Sequence, residues 1–412
     1  MPQIRFFLDG RRPEGLIWDP AREIVIEEAL PNLHTVPPLH ALQLEEEVDL
    51  VSIAGQSLQE AETIDAPVIY GGFLIRHFGH FIHESLSRLW WLAPCKGMEQ
   101  AAKEASLQLQ RLEADVVFFM PDWLDSGKEI LPYMEEVFRL IGLPGRRIRI
   151  LQRPLRFRQL WIPACVWGFA TNPQVLDQRL GCDTQSLMRH LLASSQGEIP
   201  ELGQPSKVYV TRSGLPLNLG RLIGDVVLDP LMAEAGYKVF HPEAVSMAEQ
   251  IRVYSQADDL IFMDGSSLYV LWFARLRQGT RVRVILRRRQ GRWMCQQLLA
   301  LLPAAETIQW QVVDALHAES LTSFQDWESH NVANLASLLK QLLGEVPSTL
   351  PQSAREVLAA YVRQLVRESS PEQLGSVTEA LITALSTELA QPMSRKRRLY
   401  VKIRHLFNKL LN

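Results

Sequence analysis

The sequence predicts an α/β protein of two domains, each built on a doubly wound parallel sheet, followed by a helical extension. Three observations lead there. The chain has 412 residues, more than one hydrophobic core usually supports, and its 47% hydrophobic and 22% charged content is ordinary for a globular protein. Two stretches alternate short apolar runs with segments of helical periodicity, a rhythm that makes a parallel sheet whose right-handed crossovers cover both faces. Between them, SSQGEIPELGQPS from Ser194 to Ser206 has the Gly, Pro and Ser density of a linker. The predicted divisions are residues 1–195, residues 205–318, a helical extension over 319–390 and a tail helix over 394–412.

In the first domain the runs IRFFL, EIVIEEAL, VDLVSIAG and APVIY, broken by Pro and Gly, read as strands and loops, and Glu45 to Glu47 as a solvated acidic run. After Gly79, GHFIHESLSRLWWLA has helical spacing, with Phe81, Leu86, Leu89, Trp90 and Ala93 as one buried stripe. ADVVFFM (Ala114 to Met120) reads as a buried strand, Lys128 to Ile141 as a helix stopped by Gly142, and Arg147 to Leu151 as a strand. Gln174 to Ala193 reads as helical.

In the second domain KVYVT (Lys207 to Thr211) is a strand, a helical segment runs to Ala235, and YKVF follows. Ser246 and Glu249 then open a helix in capping-box spacing, and DLIFM, a helix and RVRVIL complete the alternation. From Glu319 to Leu389 the pattern is helical only.

Composition and motifs exclude several classes. Cys95, Cys165, Cys182 and Cys295 lack CxxC spacing, which argues against a zinc ribbon or disulfide scaffold and fits a reducing cytoplasm. The N-terminus has no apolar region of signal-peptide length, and no uninterrupted apolar run of about 18 residues occurs. No GxxxxGK[ST], GxGxxG, GxSxG or DxD-like clamp stands in a suitable context, which speaks against an NTPase, a dinucleotide enzyme and a serine hydrolase. Basic residues are not interleaved with exposed-looking aromatics, so nucleic acid is not an expected partner. Net charge is −3, yet Arg395 to Asn412 holds seven Lys and Arg and no acid, so setting those seven aside leaves −10 on the remainder.

Three constellations could carry chemistry. His80, Glu84 and Arg88, spaced i, i+4, i+8, would share one face of a continuous helix, as a base with its orienting carboxylate and an anion ligand, or as a surface ion-pair ladder. His77, His80, His83 and Glu84 invite a zinc reading, but HFIHE is not the HExxH arrangement, and no metal is expected. VYVTRSG ends a strand with Arg212, and Arg221 follows nine residues later with Asp225 one turn beyond. Guanidinium forks there match phosphate oxygens, with solvated loop charges as the alternative. LIFMDGSSLYVLWF is a strand, a tight turn and a helix opening near Ser266 or Ser267. Gly265 permits close backbone approach, amides and helix dipole suit a pyrophosphate, and Asp264 would bind a sugar or ribose hydroxyl or cap the helix.

The tail SRKRRLYVKIRHLFNKLLN sets Leu399, Ile403, Leu406, Leu410 and Leu411 against Arg395, Lys396, Arg397, Arg398, Lys402 and Arg404. That pattern suits an interfacial helix on anionic lipid, a capping helix or a partner-binding helix. Arg287 to Arg289 would add to that basic surface or face a donor.

YGGFLIRHFGHFIHESLSRLWWL resembles the GHF…E…R helix of glycosyltransferase family 61. KVYVTRSG, Arg221, GYKVFHPEAVSMAEQIRVYSQADDLIFMDGSSL and RVRVIL follow in the family's order, so the similarity covers Pro67 to Leu286. The resemblance implies a GT-B architecture, two Rossmann-like domains facing across a cleft. It also implies inverting transfer without a divalent metal or other cofactor, from a nucleotide-sugar donor held mainly by the second domain. His80, Glu84, Arg88, Arg212, Arg221 and Gly265 match its pattern. Gly224-Asp225 stands where the family usually shows Asn-Glu, and Asp264-Gly265 where it usually shows His-Gly. The first change keeps a carboxylate; the second removes an imidazole, which would alter donor choice or leave a binding-only relative. On this reading His80 or Glu84 is the base, and a glycan or lipid-linked acceptor in surface polysaccharide assembly, at the inner face of the membrane, would account for the tail.

Overall fold

The computed structural model describes residues 18–19, 24–25, 62–93, 100–120, 129–151, 155–167, 184–194, 206–215, 222, 225–289, 291–316, 333–345 and 352–368. IRFFL, VDLVSIAG, the acidic run, Arg221 and the basic tail lie outside these residues. The chain divides into two compact units, Met1–Glu198 with Leu301–Pro303, and Ile199–Ala300 with Ala304–Asn412.

In the first unit β1 (Trp18–Asp19) and β2 (Ile24–Val25) pair antiparallel. The next elements are β3 (Glu62–Ile64), β4 (Val68–Phe73), α1 (Gln100–Arg111), β5 (Asp115–Phe119), α2 (Pro132–Leu140), β6 (Ile148–Leu151), β7 (Leu155–Phe157), β8 (Leu160–Trp161) and α3 (Thr184–Ser194). The main sheet is wholly parallel, in the order β6-β5-β4-β8, while β3 pairs with β7. Strands succeed one another outward from β4 to β6, and the chain then returns to β4's other edge as β8. The sheet therefore has a topological switch point between β4 and β8, where open α/β sheets leave a crevice at the strands' carboxyl ends.

Local signals explain the pieces. Pro132 at the first turn of α2 supplies a φ already helical, and Gly142, at φ +84°, ends the segment in a left-handed conformation. Met134, Val137 and Phe138 of α2 are buried, and the Phe138 ring lies 5.3 Å from Phe118 of β5 and 5.4 Å from Phe81. Val68, Tyr70, Val117, Leu151 and Phe157 form a core cluster of this unit.

The second unit comprises β9 (Ser206–Val210), α4 (Leu228–Glu234), β10 (Lys238–Phe240), α5 (Met247–Gln256), β11 (Ala257–Met263), β12 (Arg281–Ile285), α6 (Gly291–Leu301, its last residue falling in the first unit), β13 (Gln309–Val313), α7 (Leu335–Leu343) and α8 (Gln352–Glu368). All its strand pairs are parallel, in the order β10-β9-β11-β12-β13. The switch point lies between β9 and β11, because the chain moves out to β10 and crosses back over β9. Strand β13 was not anticipated from the sequence: its outward Gln309 and Gln311 mask an edge strand's apolar run. Ser246 caps α5 by accepting from the Glu249 amide at 3.2 Å. The Glu249 carboxylate turns to Arg252 rather than back to the cap, so half of the expected capping box forms.

One face of this sheet, through Tyr209, Ile261, Ile285 and Val313, packs under Leu228, Leu231, Leu338, Leu339, Leu342, Ala354 and Tyr361 of α4, α7 and α8. Toward the other lies Tyr254 of α5, its ring 5.1 Å from Phe262. A buried ionic network also ties α7 to the sheet. Arg283 of β12 donates to Asp259 of β11 at 2.8 and 3.0 Å, to the Tyr237 hydroxyl at 2.5 Å and to the Leu342 carbonyl near the end of α7 at 2.5 Å. Asp259 also accepts from Tyr237 at 2.9 Å and from Arg281 at 2.8 Å. Removing the carboxylate strands a buried guanidinium, a change worth about 3–5 kcal/mol. Asp259→Ala is therefore expected to lower stability by about that amount in urea unfolding, while Arg281→Ala, which removes an exposed partner, costs under about 1 kcal/mol.

Candidate functional site

Both switch points carry the residue types that the sequence singled out. In the first unit Gly71 and Gly72 lie inside β4, where its register against β5 shifts. Gly72 has φ +96°, and a Cβ there would stand 3.0 Å from Cδ of Arg88, so glycine allows both the irregular strand backbone and the arginine beside it. A helical turn follows, and it differs from the expected continuous helix. Phe78–His80 is α-helical, Phe81–Ser85 widens into a π-turn, and Trp90–Leu92 is a 3-10 turn. Tertiary bonds dictate the irregular path. The Ser85 hydroxyl accepts from the Ile75 amide at 3.1 Å, and the segment after β8 docks against Ser87, Arg88 and Trp90. There the Val166 amide donates to the Ser87 carbonyl at 3.2 Å, and Trp90 Nε1 donates to the Ala164 carbonyl at 3.1 Å.

The three-residue row is accordingly corrected to a pair. His80 Nδ1 and Glu84 Oε1 are hydrogen-bonded, but Arg88 leaves their row: it donates to the Pro163 carbonyl at 2.6 Å, and its guanidinium lies 5.5 Å from the Tyr70 ring centre. The Glu84 side chain is 8% exposed and its Oε2 is buried with no hydrogen-bond partner, whereas His80 is 29% exposed. Burial raises the Glu84 carboxyl above its usual range, only partly offset by the bond and charge of His80. A desolvated carboxylate behind a half-exposed imidazole can accept a proton or orient a ring that does. His83 belongs elsewhere. It is fully buried, and its Nε2 accepts from Trp167 Nε1 at 2.9 Å. Among the described residues no three His, Cys, Asp or Glu side chains are grouped to hold a metal ion.

In the second unit three neighbouring strands, β9, β11 and β12, end in one cationic cluster. Arg212 follows β9, Asp264 and Gly265 follow β11, and Arg287 and Arg288 follow β12. Asp264 is wholly buried; its Oδ2 accepts from the Arg287 amide at 2.9 Å and the Arg288 amide at 3.4 Å. Arg287 Nε lies 3.0 Å from Oδ1 but directs its N–H to the Asp264 carbonyl at 2.8 Å, so the carboxylate contact is one of charge. Arg212 lies alongside: a Cβ on Gly265 would stand 2.5 Å from its Nη1, so glycine is what admits the guanidinium. Burial, then the neighbouring charge of Arg287, pulls Arg212 down to about 10, against the opposing pull of Asp264 and Asp225. Burial likewise lowers Arg288. Guanidiniums crowded and desolvated in this way suit a multiply charged anion.

Asp264, expected to meet a hydroxyl or cap a helix, instead faces inward as the counter-ion of these arginines. Arg287 and Arg288, left open between a membrane surface and a donor, belong to this cluster; a run of arginines directly after a buried strand was their signal. Asp225 is buried in a helical turn at 225–227 and contributes to the field at Arg212. Ser266 and Ser267 open a seven-residue 3-10 helix, Ser266–Trp272, rather than an α-helix, and Gly265 stands at its N-cap without a side-chain cap. Leu268 to Trp272 are all buried, so packing on every side sets the path of this segment. The dipole expected there is correspondingly short.

The raised carboxyl of Glu84 has a consequence for stability. A group whose folded pKa exceeds its unfolded value favours folding at pH below the unfolded value, and that contribution is lost as pH rises through the folded one. Above that range the buried charge is a penalty. Glu84→Gln is expected to raise the urea midpoint at pH 7 or leave it unchanged, with the difference from wild type shrinking toward pH 4. A clear destabilisation at pH 7 would contradict it.

No curated protein sequence matches the chain. The model of the family described as Glycosyltransferase 61 matches residues 78–283, half of the sequence, and that span runs from the His80 turn into β12. With this match and the two switch-point sites in place, the chain belongs to glycosyltransferase family 61 and is a glycosyltransferase.

Proposed function

We propose that the chain is an inverting, metal-independent glycosyltransferase of GT-B architecture that moves a sugar from a nucleotide-sugar donor to a glycan or lipid-linked acceptor. The observation that carries this reading is the buried arginine cluster at the β9/β11 switch point. Transfer breaks the bond between the anomeric carbon and the diphosphate, and the departing oxygen takes the electron pair. Arg212, Arg287 and Arg288 offer that charge a preorganised cationic seat, with the amides of Gly265 to Ser267 as further donors; Arg221, outside the described residues, joins this reading through the sequence resemblance alone. Such a seat supplies what a divalent cation otherwise would.

The acceptor hydroxyl must lose its proton as it attacks. His80, with Nδ1 held by Glu84, would take it at Nε2, and Glu84 would stabilise the imidazolium. Direct proton abstraction by Glu84 is the second assignment, favoured by its raised carboxyl pKa and its unpartnered Oε2. Once a donor is identified by thermal shift against UDP-, GDP-, CMP- and dTDP-sugars, His80→Ala and Glu84→Ala are each expected to lower kcat about 10²- to 10⁴-fold, with saturating chelator leaving wild-type turnover intact. Near wild-type turnover in both variants would remove this pair from the mechanism.

The acceptor side of the proposal is a surface polysaccharide assembled at the inner face of the cell membrane, the enzyme being cytoplasmic and peripheral. Among the described residues no helix is long and apolar enough to cross a membrane. The seven positive charges of Arg395 to Asn412 would bind anionic headgroups, and deletion of the residues after Met393 is expected to abolish flotation with phosphatidylglycerol vesicles. Unchanged flotation would defeat the lipid role of the tail.

A further inference from the structure

We infer that Glu243, oriented by His241, seats the ribose diol of a nucleoside diphosphate and makes the second unit prefer ribonucleotides to their 2′-deoxy counterparts. The inference rests on the proposed donor reading and names the part of the ligand that reading leaves open.

Topology places the pair. Strand β10 flanks β9 on the side away from β11, and His241 and Glu243 follow its carboxyl end as Arg212 follows that of β9 and Gly265 that of β11. Adjacent strands lie about 4.8 Å apart, so the ends of β10 and β11 are separated by about 10 Å. That distance matches the reach of a nucleoside diphosphate from its phosphates to its ribose. A ligand lying along this edge meets the Arg212 guanidinium, which leaves β9 and lies beside Gly265 at the end of β11, then Arg287 and Arg288 after β12, and a carboxylate after β10. Charge fixes its direction: the phosphates belong with the arginines, and Glu243 would repel them. Neutral ribose hydroxyls are donors, and one carboxylate can accept from two side by side.

Local details hold Glu243 ready. Pro242 opens a single 3-10 turn, Pro242–Ala244, which limits the backbone around it. His241 Nδ1 lies 3.2 Å from Glu243 Oε1, and the two side chains are 42% and 27% exposed, within reach of a ligand. A Cβ on Gly214 would collide with Glu243 Oε1, so the glycine two residues after Arg212 lets the carboxylate lie against the turn that leaves β9. The other carboxylate of this edge is already engaged. Asp229 accepts from the Thr211 hydroxyl at 2.7 Å and the Ser213 hydroxyl at 2.5 Å, whereas the hydrogen-bond partner of Glu243 is the neighbouring imidazole.

Isothermal titration of the full chain with pyrophosphate, with UDP, GDP and CDP, and with their 2′-deoxy forms tests this directly. Wild type is expected to bind at least one ribonucleoside diphosphate about tenfold more tightly than its deoxy form. Glu243→Ala should bind the two forms equally, at the weaker value, with pyrophosphate affinity unchanged. Glu243→Gln, which keeps one acceptor oxygen, should retain part of the preference. A wild type that binds these ligands without a ribose preference, or a Glu243→Ala that keeps the preference, overturns the inference alone. Failure of wild type to bind pyrophosphate and every nucleotide overturns the donor reading as well.

Discussion

Guanidiniums do not gather in a protein interior unless something offsets their repulsion, and here Asp264 does so. Its carboxylate is wholly buried and receives two backbone amides of the turn that carries Arg287 and Arg288. The same residue's carbonyl fixes the Arg287 guanidinium. Without that counter-ion, the turn after β12 would have no reason to fold back onto the end of β11. Arg212 would then face the like charges of Arg287 and Arg288 without one of the two carboxylates that oppose them. Asp264, which stands where the sequence resemblance leads one to expect a histidine, thus faces the protein and orders the cations.

The first unit applies the same topology to different chemistry. Its switch point joins the exit of β4 to the segment after β8, and the contacts between Ser87, Arg88, Trp90 and residues 163–166 are what bend the expected helix into short turns. That bend is part of the site. It sends Arg88 into the protein and leaves His80 hydrogen-bonded to Glu84, whose carboxylate is largely desolvated. A buried carboxylate with an unsatisfied oxygen costs stability, and it is tolerated at positions where a proton must be exchanged.

Among the described residues, each unit therefore gathers its buried charged side chains near the carboxyl ends of parallel strands and its aliphatic residues between sheet and helices. The exception is the Asp259, Arg283 and Tyr237 network, which lies near the amino end of β11 and ties α7 to the sheet. Buried charge thus serves two purposes in the second unit. At one end of the sheet it closes on itself, and at the other it presents an excess of cation.

The sequence by itself determined the local elements. Apolar runs marked β5, β6, β9, β11 and β12, Gly142 marked a helix end, and Ser246 marked a cap, because these depend on side-chain period, φ preference and a single hydrogen bond within a few residues. The motif order from GHF to RVRVIL carried the family for the same reason, since it is written along the chain. Tertiary structure alone decided the strand orders, the break in the His80 helix, the 3-10 path after Gly265 and the inward turn of Asp264. It also decided that Arg287 and Arg288, more than 70 residues beyond Arg212, would stand beside it. Those outcomes follow from contacts between segments far apart in the chain. Their energies depend on burial and on charges brought together only when the sheet forms, and no local spacing encodes them.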